Sequence, residues 1–150
     1  AVFTQKLADF LKYLLTLHNE KLISLKQELE VVNQYLFIQQ LRFANSLEIV
    51  IELEDEICNR LLPPLSLQML VENAVKHNQI SPKRKLVVNI FEENDYLFVK
   101  NNLQPKTGIN SANIGLENIK GRYKLFTDKE LIITNYNNYF VVGIPLLKEK

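Results

Sequence analysis

The spacing of apolar residues changes at Phe43, and this change constrains the fold more than any other feature of the chain. Before it, the period is helical. Phe3, Leu7, Phe10, Leu11, Leu14 and Leu17 fall on one stripe, widened by Val2, Tyr13 and Leu15. So wide a face on a first helix calls for a partner, either the rest of the chain or a second copy. A second helix is expected after "HNEKLIS", where Ser24 and Gln27 have capping-box spacing. Leu25, Leu29, Val32, Leu36 and Phe43 mark its buried face. After Phe43 the period becomes two: Leu47, Ile49, Ile51 and Leu53 alternate with Glu48, Val50 and Glu52, as in a half-buried strand.

Both periods recur downstream. "RLLPP" closes the strand region, and its proline pair suits the first turn of a helix over Leu65–His77. Two strand-like runs follow, "KLVVNIF" and "YLFVKN", joined by "EEND". A polar stretch, "LQPKTGINSAN", leads into a third helix near Ile114–Phe126, and the chain ends in a hairpin about "NYNN". Tight turns imply antiparallel neighbours, and helices separated by single strands or strand pairs imply one helical layer on one sheet face. The expected fold is α+β: a two-layer α/β sandwich with a mixed, mostly antiparallel sheet and an N-terminal helical extension.

Composition mainly excludes. The 150 residues suffice for one sizeable core. A net charge of +1 provides no field that would attract nucleic acid or an anionic membrane. Lys83-Arg84-Lys85, beside Pro82, reads as a solvated turn. A single cysteine, Cys58, excludes an internal disulfide and a cysteine-rich metal site, and two histidines are too few for a histidine-based zinc site. His18 falls in a polar turn. No apolar run approaches the roughly 20 residues a membrane span needs, and no signal peptide is visible. The chain lacks an initiator methionine and opens within a helical pattern, so a piece of a longer protein is expected.

One helix carries polar groups that a core would not need. In "PLSLQMLVENAVKHN", Leu67, Leu70, Val71, Ala74 and Val75 form an apolar face, whereas Asn73, Lys76 and His77 are expected to project together from another. Glu72 and Lys76 have the spacing of an ion pair. By spacing alone, a solvated face is the plainer reading. The alternative is a metal–phosphate site, with an asparagine amide oxygen as a hard ligand for Mg²⁺ and cationic donors for the phosphates. Downstream, Gly115 opens "GLENIKGRYKLF" at the positive end of a helix, where backbone N–H groups can approach an anion.

"VENAVKHN" followed by "GLENIKGRYKLF" resembles the N-box and second glycine box of sensor histidine kinases, specifically the LytS-type branch of the GHKL ATPase and kinase superfamily. "LADFLKYLL" and "ISLKQELEVVNQYLFIQQLRF" are similar to the segment joining its phosphoacceptor and ATP-binding regions. The resemblance implies a Bergerat-type ATP-binding domain over residues 44–150 and a helical linker, part of a dimerisation segment, over 1–43. It implies ATP and Mg²⁺ as cofactors. Asn73 would hold Mg²⁺, Lys76 and His77 would lie near the phosphates or ribose, and Gly115 and Leu116 would end the ATP lid. Asn118 lies in the same block.

Two departures stand out. Where the first glycine box has an aspartate that accepts from adenine, this chain has Asn101, with Asn102 as the alternative acceptor, and Leu103 replaces the first glycine. The phosphoacceptor histidine motif is also absent, so this piece alone is not expected to autophosphorylate. ATP-hydrolysing relatives place a base one turn before the asparagine, where Met69 stands here. The implied function is an ATP-dependent protein-histidine kinase domain. It would transfer the γ-phosphate to a histidine on an upstream helix, for relay to a response regulator receiver domain, within a homodimer. The domain would be cytoplasmic and the full-length protein would sit in the bacterial inner membrane. The alternative is a degenerate module that binds nucleotide weakly or not at all and serves dimerisation or regulation.

Overall fold

A computed structural model describes residues 2–17, 21–106 and 112–148. Helix α1 spans Val2–Leu17 and packs on α2, Leu25–Phe43. Val2, Leu7, Leu11 and Leu15 of its apolar stripe remain 37–75% exposed. The capping box is formed as expected: Gln27 N–H donates to Ser24 Oγ at 3.1 Å, and Ser24 N–H donates to Gln27 Oε1 at 3.0 Å. Leu25, Val32 and Leu36 are buried, and Glu28 and Val31 join them unannounced by the apolar period.

Five strands form the main sheet: β2 (Leu47–Glu52), β4 (Leu86–Glu93), β5 (Tyr96–Asn102), β6 (Ile132–Tyr136) and β7 (Tyr139–Pro145). Their spatial order is β2-β4-β5-β7-β6. β2 runs parallel to β4 and every other pair is antiparallel, so the sheet is mixed as expected. A parallel neighbour needs a crossover, and α3 (Ser66–His77) supplies it. Asn94-Asp95 and Asn137-Asn138, all at positive φ, turn the two hairpins. At Gly143, any Cβ would come within 2.5 Å of the Phe98 ring on the adjacent strand, so glycine lets that ring lie across the sheet.

Helices α2, α3 and α4 (Ala112–Tyr123) enclose one core against the sheet. Its centre includes Leu62, Leu67, Val71, Leu86, Val88, Ile90, Leu97, Ile119 and Ile144. Leu25, Val32 and Leu36 of α2 belong to this same core. Two local expectations need correction, and one element went unforeseen. Pro63 and Pro64 lie in a turn before α3, not in its first turn; Ser66 Oγ donates to the Pro63 carbonyl at 2.8 Å. Ile51 is 38% exposed because β2 is an edge strand. A two-stranded ribbon, β1 (Ile23–Ser24) with β3 (Leu61–Leu62), is too short to leave a periodic signal.

Candidate functional site

Helix α3 turns Leu67, Leu70, Val71, Ala74 and Val75 into the core, leaving Asn73 and His77, one turn apart, on the flank. That flank borders a cavity of about 250 Å³. β5 contributes Val99 and Asn101, the chain after it Leu103, Pro105 and Lys106, α4 Leu116, and β6–β7 Asn135, Phe140 and Val142. The walls are largely apolar, with amides at a few points, the usual make-up of a site for a flat organic ligand.

The wall after β5 is held by the end of α3. Asn78, buried at the helix C-cap, donates through Nδ2 to Ala74 O at 2.8 Å and accepts Gln104 N–H on Oδ1 at 2.7 Å. Gln79 N–H donates to Gln104 O at 2.7 Å, and Lys106 N–H to His77 O at 3.0 Å. Asn78 and Lys106 were not among the residues read from sequence. Asn78 looks like any polar helix end until the chain it grips is known. Lys106 sits in a segment without period.

At the opposite wall, Asn101 is 2% exposed. Its Nδ2 donates to the carbonyl of Asn102 at 2.9 Å, which leaves Oδ1 as the group able to accept from a ligand. Asn102 faces away, because successive strand residues alternate sides. Its Oδ1 accepts Val87 N–H at 2.8 Å, its Nδ2 donates to Lys85 O at 3.0 Å, and it borders a separate shallow depression. Of the two candidates, the fold brings only Asn101 to the cavity.

Gly115 explains how α4 approaches α3. A Cβ there would stand 3.1 Å from Asn73 Nδ2, closer than most side chains tolerate. Leu116, buried, lines the cavity, whereas Asn118 is exposed and does not. The three polar residues of α3 do not project together. Asn73 and His77 border the cavity, but Lys76 is exposed and borders a neighbouring groove with Glu72, Arg42 and Tyr35, which Lys106 joins to the cavity. The expected Glu72–Lys76 pair is not formed: Glu72 accepts from Gln68 Nε2 at 3.0 Å, and the ion pairs among the described residues are Arg60–Asp95 and Lys120–Glu117.

Electrostatically, the mouth is cationic. Burial first, then the charges of Lys76 and Lys106, hold the His77 imidazole below its ordinary pKa, so it is neutral at pH 7. Its Nδ1 is buried without a partner. Among the described residues no cluster of three His, Cys, Asp or Glu could hold a metal by itself. A cation here would need an amide ligand and oxygens brought by an anionic ligand. Asn73 beside the α4 N-terminus fits that donor set.

Comparison with known proteins bears on the sequence and the fold. A family model described as "Histidine kinase" matches residues 1–47. An uncharacterised Bacillus subtilis protein, YwpD, is 34% identical over 148 residues, covering 88% of this chain and 52% of its own length. The sensor protein LytS of Bacillus cereus is 45% identical over 76 residues, 48% of this chain and 13% of LytS. This chain thus spans about half of the first relative and a small part of the second. In fold, the cytoplasmic segment of histidine kinase QseC has a TM-score of 0.59 at 18% identity, covering 85% of this chain and 78% of that one. The nucleotide-free catalytic domain of histidine kinase ThkA has a TM-score of 0.54 at 15% identity, covering 85% and 97%.

Proposed function

Because the chain belongs with the LytS-type sensor histidine kinases in sequence and with histidine kinase catalytic domains in fold, we propose that its cavity binds Mg²⁺·ATP for phosphoryl transfer to a histidine. The observation that carries this reading is the convergence of Asn73, His77, Asn101 and Leu116, from three separate elements, on one cavity. Asn101 Oδ1 accepts from the adenine amino group at the buried end, between the apolar walls of Leu70, Val99, Phe140 and Val142. The cavity is small for a nucleotide by the ~300–1,000 Å³ range of ligand sites, so it takes the base and leaves the phosphates at the cationic mouth. There Asn73 provides the amide oxygen for Mg²⁺, with Lys76, His77 and Lys106 as donors toward the phosphates, while Gly115 and Leu116 bring α4 up to the site. Asn118 and Asn102, which point elsewhere, are left out of direct contact.

Mg²⁺ supplies charge neutralisation on the phosphates, and phosphoryl transfer otherwise needs mainly positioning. Met69, packed on the core, offers no base to activate water, which favours transfer to a protein nucleophile over hydrolysis. The acceptor histidine, the response regulator, the homodimer and a membrane-anchored full-length protein with this domain in the cytoplasm complete the proposal. No helix among the described residues is long and apolar enough to cross a membrane.

The neutral Asn101 and the bulky Leu103 favour a second reading, a fold retained for dimerisation or regulation with little nucleotide affinity. Calorimetric titration with Mg²⁺·ATP decides. Binding that Asn73→Ala weakens at least tenfold, about 1.4 kcal/mol, supports the kinase reading. No heat at millimolar ATP supports the degenerate module.

A further inference from the structure

Glu28 is fully buried, with 0% exposure, yet has no part in the cavity. From α2 it lies against the N-terminus of α3, where the amides of Leu65, Ser66 and Gln68 face its carboxyl. Neither Oε1 nor Oε2 closes a hydrogen bond of good geometry. The charged or titratable groups that reach it are Arg122 and Tyr123, both from α4. This helix end lacks a cap of its own. Its N-cap is Leu65, a non-glycine residue at φ 67° with no side-chain oxygen to offer the free amides.

We propose that Glu28 is a positioning residue through which α2 sets α3: its buried carboxyl, carried by another helix, packs against the uncapped first turn of α3 and so fixes where Asn73 and His77 stand. The inference deepens the nucleotide reading by giving that site a regulatory input, and in its effect on affinity it rests on that reading. A rigid helix transmits displacement of its first turn along its length, and Asn73 lies two turns further on. Moving α2 therefore moves the metal-binding amide. Burial pushes the Glu28 carboxyl up to about 8, so it is neutral at pH 7. Ionisation demands water or full hydrogen bonds that the seated geometry does not provide. Raising the pH toward about 8 then favours the state in which α2 has lifted and water has entered.

The test uses residues 1–150 as the wild type and as Glu28→Gln, which keeps the shape and cannot ionise. Mg²⁺·ATP affinity is measured at pH 7 and pH 9, and amide hydrogen exchange is followed at Ser66–Leu70 without nucleotide, corrected for intrinsic rates and referenced to β4. For the wild type we expect affinity to fall about fivefold or more by pH 9, the low end of ordinary coupling, with selective loss of protection at Ser66–Leu70. Glu28→Gln should hold both within about twofold. An equal pH loss in Glu28→Gln, or a flat wild-type exchange profile, overturns the proposal. If Glu28→Gln does not fold, the wild-type exchange profile decides alone. If Mg²⁺·ATP fails to bind at pH 7, the nucleotide reading fails, while exchange at α3 still decides whether Glu28 seats that helix.

Discussion

At the scale of single residues, two positions at or beside the cavity carry opposing demands. Gly115→Ala adds a methyl 3.1 Å from Asn73 Nδ2, which must yield by a few tenths of an ångström. The same change removes a glycine from a helix, a gain of up to about 1 kcal/mol. We expect Mg²⁺·ATP affinity to fall several-fold while the melting temperature holds or rises, read by titration and calorimetry on one sample. Asn101→Asp sets a similar conflict. A carboxylate hydrogen bond is roughly twice as strong as a neutral one, so adenine affinity should rise about fivefold. Without ligand, however, a buried carboxylate replaces an amide that donated to the Asn102 carbonyl, and stability should fall by about 1–3 kcal/mol. The helical repeat put Asn73, Lys76 and His77 on one face, of which Asn73 and His77 border the cavity. Asn101 was reached through resemblance, and Asn78 and Lys106 not at all, since their roles exist only once the chain after β5 lies against α3.

Among the elements, local rules held where local chemistry decides. The Ser24–Gln27 box forms because both groups lie within one turn. Ser24→Ala should cost about 1 kcal/mol, measured as a shift of the urea midpoint at unchanged slope. Both asparagine-bearing hairpin turns likewise adopt the positive φ that their residues tolerate. The rules failed where another element intervenes. Pro63-Pro64 could have opened α3, but β3 pairing with β1 and the Leu25 N–H bond to Arg60 O hold the chain before it. Lys76 separates from Asn73 and His77 because α2 packs beside α3 and creates a second groove at its side.

Taken whole, the molecule joins helices and sheet into one core. Leu36 of α2 is 5% exposed within the core that also holds Leu86 and Ile144, so α2 packs into that core. Leu36→Ala should cost about 2–5 kcal/mol, and circular dichroism and tyrosine fluorescence should report the same single unfolding transition. Two separate transitions would show that α2 unfolds by itself. Stability should also depend on pH through Glu28. Its folded pKa lies above its ordinary value, so its contribution is fully present below about pH 4.5 and is lost as pH rises toward about 8. The wild type should weaken relative to Glu28→Gln across that window, by up to about 1.4 kcal/mol per pH unit, followed by urea unfolding. By itself the sequence determined the element types and the helical flank bearing Asn73 and His77, because periodicity and turn chemistry act between residues close along the chain. Only the tertiary structure decided that Asn101 and not Asn102 meets the cavity, that Lys76 stands outside it, and that Glu28 lies beneath α3. Each of those depends on which distant segment fills the space beside a residue, and no short-range pattern encodes that.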